Sequence, residues 1–510
     1  MATTNSLSLS PHPSLGSTRT DEHELRAGAD ADTAGPKAAH VPPAAISPED
    51  NARVLHKLDL VLIPLTMGAY TLQYIDRSAM SYAAVFTFRK DLHLTPKQYE
   101  WLGSVYFFGY LFFEFPGSWL LQRLPISKVM GVLVLVWGIL LMCMAAPRSF
   151  GGMAAIRTLL GASEALVTPG FVLLFARFYR RDEQPLRVGL WYCCNGLGSF
   201  TGALISYGMG HVHVRGLPNW AWIFLLNGMI TIVFAGVFLL LCPESPEKWS
   251  RLTPHERHVA LERVRGNKSS LHDRHWKWGQ VAEALLPWRD PQGWAYFVIT
   301  LCITIPNGGV AVFLHLILQS YGYSAFKTIL YGLPQAVMQI IFPLSGAYIA
   351  RKVPNARCYV MMAYMLPSIL GTVLQYRRLS QGALLFGYYI MGAYVAAYGI
   401  IFGAPGANIA GYTKKVVVGA MIFVSYAVGN IIGPHLFKST ESPPYRTGML
   451  TCIVCFSAAV PMSFALRCYY VRENARRDRL QAAMGMAYDP AEGDFSDRTD
   501  VENLGFRYAL

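Results

Sequence analysis

Twelve runs of predominantly apolar residues recur along this chain, at 58–88, 99–122, 126–146, 150–178, 187–212, 220–242, 293–318, 327–350, 356–376, 382–403, 414–437 and 447–471. Runs of about 20 residues match the hydrocarbon thickness of a bilayer. With no water there to satisfy peptide groups, such runs can only cross as helices. Only 15% of the 510 residues are charged and the mean hydropathy is +0.30, whereas a soluble chain carries about a quarter charged residues. The expected fold class is an all-α membrane protein of twelve transmembrane helices in two six-helix bundles.

The runs divide six and six around a polar segment, which predicts five regions: a disordered cytoplasmic tail (1–56), an N-terminal bundle (57–242), a cytoplasmic central loop (243–292), a C-terminal bundle (293–471) and a cytoplasmic tail (472–510). The first 50 residues are rich in Ser, Pro, Ala and Asp and lack the apolar core of a cleavable signal. Loops after even-numbered runs hold Arg123, Lys128, Arg177, Arg180, Arg181, Arg187, nine basic residues from Lys248 to Arg289, then Arg351, Lys352, Arg357, Lys414 and Lys415. The opposite loops hold about half as many, so the positive-inside rule places both termini in the cytoplasm. This sidedness accounts for much of the +13 net charge, and no nucleic-acid partner is called for. Nine cysteines form neither a disulfide framework nor a metal-ligand cluster. The sequon Asn267-Lys268-Ser269 falls in the central loop and should stay unglycosylated. The run Pro254–Arg265 reads as a short helix at the membrane face or as a solvated loop.

An internal repeat supports the division. The connector from Gly117 through Arg123, Pro125 and Lys128 matches that from Gly346 through Lys352, Pro354 and Arg357, without gaps and at equivalent points of the two halves. Glycine there permits close helix approach, and the bases can latch onto a neighbour in one conformation.

Four charges lie inside the apolar runs: Asp76 and Arg77 in the first, Arg157 and Glu164 in the fourth. An ionised group at membrane depth costs roughly 2.5–3.5 kcal/mol on insertion scales and usually faces a bundle interior or a wet cavity. Arg157 and Glu164 are two helical turns apart and share a face. A helix-end pair or a permanent salt bridge would be the structural explanations. Two acids and two bases in one half fit better with an anion site coupled to protons, because burial favours a neutral carboxyl and a nearby arginine an ionised one. Tyr110, Glu114, Asn195, Asn307, His315, Gln335, Asn408, Asn430 and His435 could line the cavity or bond between helices. Pro306-Asn307-Gly308-Gly309 and Gly403-Ala-Pro405-Gly406 are expected to interrupt helices.

Several motifs combine: Tyr74-x-Asp76-Arg77, Tyr106-x-x-Gly109-Tyr110-x-x-x-Glu114-x-Pro116, Arg157-x-x-x-Gly161-x-x-Glu164 followed by Pro169-Gly170-Phe171, and Arg180-Arg-Asp-Glu183-Gln-x-x-Arg187. Together they resemble the anion:cation symporter family of the major facilitator superfamily. Asn408-x-x-Gly411-Tyr-Thr413-Lys414-Lys415, Gly429-Asn430-x-x-Gly433-Pro434 and Pro444-Tyr445-x-x-Gly448 resemble its fungal allantoate permease branch. The resemblance spans about residues 57–471. It implies two bundles working by alternating access and proton-driven movement of a small organic anion such as a carboxylate, ureide or vitamin. By motif match Arg77 would hold the substrate carboxylate, with Tyr74, Tyr110 and Asn195 nearby. Asp76 and Glu164 would carry protons, Arg157 would exchange between those acids and substrate, and Asn408 would be the second-half contact. Gln122 stands where the superfamily has an acid after the second span, and Ala79 where an Asn is common.

The expected function is therefore a secondary transporter, not an enzyme, since no nucleophile–base or metal constellation is visible. It would need no cofactor or metal beyond the proton gradient. Its partners would be an organic anion, protons and lipid, and it would work as a monomer, multi-pass in a fungal plasma membrane. Export of an acidic secondary metabolite, or nutrient sensing without transport, remain open on the sequence.

Overall fold

The computed structural model describes residues 46–180, 183–212, 216–265, 276–443, 445–484 and 497–510, with the side chains of 185, 186, 188 and 192 left aside. The sequon at Asn267 and most of the N-terminal tail lie outside them. Every regular element described is helical.

The first half comprises α1 (Pro48–Ala83), α2 (Pro96–Arg123), α3 (Ile126–Cys143), α4 (Phe150–Glu164) running on into α5 (Val167–Phe178), α6 (Gln184–Gly210) and α7 (Asn219–Leu241). The central segment carries α8 (Pro254–Arg263) and α9 (Trp278–Leu285). The second half comprises α10 (Gln292–Gln319), α11 (Ala325–Lys352), α12 (Arg357–Arg377), α13 (Gln381–Ile390) leading through a 3-10 turn into α14 (Val395–Asn408), α15 (Tyr412–Ile432) and α16 (Arg446–Met484). Ten of the described segments are long and apolar enough to cross a membrane. The two others, α2 and α6, are 28 and 27 residues long and less apolar.

Local sequence explains the boundaries. The Ser47 side chain caps α1 with Pro48 at its first position, so the first helix starts ten residues before the apolar run. Thr95 with Gln98, and Thr253 with Glu256, form capping boxes that start α2 and α8; the central run is therefore a helix. Asn307-Gly308-Gly309 and Gly403–Gly406 were expected to break helices, yet α10 and α14 run through them. Gly308 serves close approach instead: a Cβ there would lie 2.6 Å from the Asn430 Cα.

The packing repeats with an offset of six spans. In the first half α3 lies on α7, α2 on α4, and α1 on both α6 and α7; in the second α12 lies on α16, α11 on α14, and α10 on both α15 and α16. Contacts between the halves obey the same symmetry, α2 meeting α15 and α11 meeting α6, with α1 against α10 on the axis.

Candidate functional site

Two glycines set the geometry of the cluster. A Cβ on Gly109 would sit 1.9 Å from the Thr158 carbonyl oxygen, and one on Gly161 1.9 Å from that of Tyr106. Helices α2 and α4 therefore cross backbone to backbone, which brings Tyr106 on α2 between Arg157 and Glu164 on α4.

Arg77 faces the other half of the molecule. Its guanidinium donates to the Tyr426 hydroxyl on α15 (3.0 Å) and to the Tyr106 hydroxyl on α2 (3.1 Å). The Nε group is buried without a partner. Its guanidinium carbon lies 5.4 Å from the Tyr106 ring centroid and 5.7 Å from that of Phe107. Among the described residues no carboxylate comes within the 4.0 Å of an ion pair with Arg77 or Arg157.

Glu164, fully buried, accepts a 2.6 Å hydrogen bond from the Tyr106 hydroxyl on Oε2, while Oε1 has no partner. A chain of contacts thus runs from Arg77 through Tyr106 to Glu164. Arg157 donates from Nε to the Leu102 carbonyl (2.8 Å), with its guanidinium carbon 5.6 Å from the Tyr106 ring. The permanent Arg157–Glu164 salt bridge considered from the sequence is not formed.

Asp76 points away from Arg77, as neighbours on a helix must. Its Oδ2 accepts from Trp137 Nε1 (2.5 Å) and from Thr231 (3.2 Å), between α3 and α7, and Oδ1 is buried without a partner. Tyr74 reaches across the halves to Gln339 on α11 (3.0 Å), which also accepts from Ser199 (3.2 Å). Tyr110 stacks on Phe423 at 5.4 Å. Asn195 is half-buried on α6, next to Gly196, whose position abuts α11: a Cβ there would lie 2.8 Å from the Ala336 carbonyl oxygen.

Asn408 is not in this cluster. It lies at the end of α14 and exchanges hydrogen bonds with the backbone of Ala509, accepting from its N–H at 2.7 Å and donating to its carbonyl at 3.1 Å. Its amide is committed to the C-terminal segment, which a linear reading cannot place. Asn307 and Asn430 pair with each other across α10 and α15 (2.9 Å), and Tyr394 donates to Asn307 (3.0 Å).

Three contributors escaped the sequence reading. Tyr106 stood in the same motif as Tyr110 but carried no mark of its greater role. Tyr426 has neither charge nor motif. Gln339 gave one usable signal, an uncharged polar residue four after Gln335 in an apolar helix.

Residues 66–434 match the Major Facilitator Superfamily. The chain belongs to that superfamily. Similar chains include fungal members: an uncharacterised transporter of Schizosaccharomyces pombe, 36% identical with 91% of each chain covered, and the allantoate permease of Saccharomyces cerevisiae, 32% identical over 91% of this chain and 88% of the permease. A thiamine pathway transporter of the same yeast is 29% identical over 91% of this chain and 87% of its own length. The fold matches the crystal structure of a bacterial homolog of the human lysosomal transporter Spinster, with a TM-score of 0.62 at 15% identity, covering 84% of this chain and 99% of that one. The protein is thus a multi-pass membrane transporter of the major facilitator type.

Proposed function

We propose that the protein moves a small organic anion in symport with protons by alternating access. The observation that carries this reading is Arg77, a half-buried guanidinium at the junction of the halves, held by tyrosine hydroxyls of both and, among the described residues, by no carboxylate. An anionic cargo supplies the missing charge and gains a bidentate donor. Tyr106 links that event to Glu164. When an anion neutralises Arg77, the cationic charge that favours an ionised Glu164 is offset, and a proton on Glu164 becomes easier to hold. Linkage makes the effect mutual: the proton favours the anion as the anion favours the proton. Asp76, with one carboxyl oxygen unpartnered in the bundle core, is the second carboxyl this reading assigns to proton transfer.

Alternating access is supported by where the halves are joined. Ser81 with His315 (3.0 Å), Gln319 with Val85 (3.1 Å), Tyr99 with Val312 (3.0 Å) and Ser104 with Ile431 (2.7 Å) all lie beyond Arg77, away from the termini. Toward the termini, Lys57 with Glu256, Asp59 with Arg187 and Lys414 with Asp290 each stay within one half or join it to the adjoining part of the central segment. The basic residues on that side support cytoplasmic termini, the allantoate permease among the relatives supports a ureide or carboxylate cargo, and the reading adds a monomer working in the plasma membrane.

Uptake of labelled allantoate into proteoliposomes, with nicotinate, pantothenate and sugar acids as competitors and with the pH gradient imposed or collapsed, tests the reading. Saturable uptake that rises with an inward proton gradient is expected. Saturable uptake indifferent to the gradient would remove the proton from the mechanism.

A further inference from the structure

Residues 497–510, expected to trail from the last span, instead bind the ends of the second-half helices on the termini side. Asp500 is fully buried. Its Oδ1 meets Lys414 Nζ at 2.8 Å and accepts from the Ala410 N–H at 3.2 Å; its Oδ2 accepts from Gln292 and from the Tyr508 hydroxyl, each at 2.7 Å. Asp497 accepts from the Tyr412 N–H at 2.6 Å and meets Lys277 at 2.7 Å. Thr499 donates to Glu283 at 3.0 Å. The Tyr508 ring stacks on Tyr470 at 4.8 Å, and the Leu510 carbonyl accepts from the Arg357 N–H at 3.1 Å.

Two features give this segment more than a packing role. Three of its grips bracket the short turn joining α14 to α15: Asn408 ends α14, Ala410 lies on the turn and Tyr412 begins α15. Those two helices carry Tyr398 and Tyr426, and Tyr426 is the second-half partner of Arg77. The second feature is the charge balance. The single ammonium of Lys414, fully buried, also meets Glu283 at 2.7 Å and Asp290 at 2.5 Å. It therefore serves three carboxylates, and it would still have two partners after Asp500 left. Undocking does not strand a buried cation, the usual reason a buried ion pair cannot open.

We propose that residues 497–510 are a releasable latch that, when docked, holds the α14–α15 turn and through it the position of Tyr426 opposite Arg77. The cradle of Lys414, Gln292, Asn408 and Tyr470 recognises an acidic, tyrosine-bearing peptide, and the occupant is the chain's own segment. Control of the site is then exerted from the termini side of the membrane, without contact with cargo.

The test needs no cargo, so its outcome is separate from that of the transport reading. A protease site placed between residues 485 and 496 lets the segment be cut from the folded protein in nanodiscs and washed away. Hydrogen exchange followed by mass spectrometry then reads 408–432. After cutting, exchange is expected to rise at 408–414 and to spread to the turn of helix around Tyr426; a synthetic 497–510 peptide restores protection. A peptide carrying Asp500→Asn should need about a hundredfold more to do so. The full-length protein with Asp500→Asn, which needs no cutting, should show the same rise in part. The proposal is overturned if the cut segment cannot be displaced by excess peptide, or if exchange around Tyr426 is unchanged once the segment is gone.

Discussion

The hydroxyl of Tyr106 is the narrowest point of the site, and Tyr106→Phe removes it while sparing its surroundings. The ring keeps its place 5.4 Å from the Arg77 guanidinium carbon and 5.6 Å from that of Arg157, and its edge contact with Phe107 at 5.0 Å. What is lost is the 2.6 Å donor to Glu164 and the 3.1 Å acceptor for Arg77. A hydrogen bond to a charged group contributes about 1.5–3 kcal/mol, which corresponds to roughly ten- to a hundredfold in an equilibrium. Glu164 Oε1 is already without a partner, so the variant leaves the carboxyl with no side-chain donor. A buried carboxylate without donors gives way to the neutral acid, and a carrier that stays protonated cannot deliver its proton. In proteoliposomes, uptake of labelled allantoate by Tyr106→Phe should fall about ten- to a hundredfold and lose its response to the proton gradient, with thermal unfolding little changed. Tyr364→Phe, which removes a 2.6 Å hydrogen bond to Ser345 outside the cluster, is the control and should retain both. Gradient-driven uptake at the normal rate in Tyr106→Phe would refute the idea that Tyr106 joins Arg77 to Glu164.

Arg77→Lys should abolish measurable uptake at substrate concentrations that saturate the unaltered protein, because one ammonium cannot bridge Tyr106 and Tyr426 while gripping a carboxylate; retained affinity in competition assays would move the anion site elsewhere. Gly161→Ala should lower thermal stability by about 2 kcal/mol or more, or prevent assembly, since its Cβ meets the Tyr106 carbonyl at 1.9 Å; a fully stable, active variant would show that α2 and α4 can part without loss. Docking of α8 should depend on pH. The hydrogen bond from Lys57, and then that from the Thr253 N–H, hold the Glu256 carboxyl below its ordinary value of 4.5. The stability this contributes is present above pH 4.5 and is lost as pH falls through the lower, folded-state value. Protection across 254–263, taken relative to the intrinsic exchange rate at each pH, should fall as pH is lowered through that range, and Glu256→Gln should show the reduced protection already at neutral pH.

The fold was legible because membrane helices announce themselves by length and apolarity, and because a repeat at Gly117 and Gly346 marked the two halves. The glycine-rich stretches misled for a physical reason. Gly308 and Gly309 read equally as a break or as a close contact, and only the partner, Asn430 and Phe437, decides between them. The candidate cluster was legible where burying charge is costly. Asp76, Arg77, Arg157 and Glu164 stood out because charge at that depth needs a purpose. Tyr106 and Tyr426 did not, since a tyrosine in a membrane helix costs little and signals little. Asn408 sat in a motif of the right family, yet its partner is about a hundred residues away in the tail, and no local pattern encodes that.

Arg157 and Glu164 share a helix face, and the family resemblance implied exchange between them. Direct pairing along a helix needs a spacing of three or four residues. Seven residues is about 10.5 Å of rise, too far for the two side chains to meet along the axis without leaving their rotamers. Both turn instead to α2, Arg157 to the Leu102 carbonyl and Glu164 to the Tyr106 hydroxyl. Those two residues are one turn apart, which halves the gap and places the Tyr106 ring within it. In the proposed mechanism the proton site and the anion site are therefore joined through a neutral side chain rather than an ion pair. That choice has a consequence for turnover: an ion pair would have to be broken at full electrostatic cost in every cycle, whereas a tyrosine hydroxyl can donate to one neighbour and accept from another with no net charge to separate.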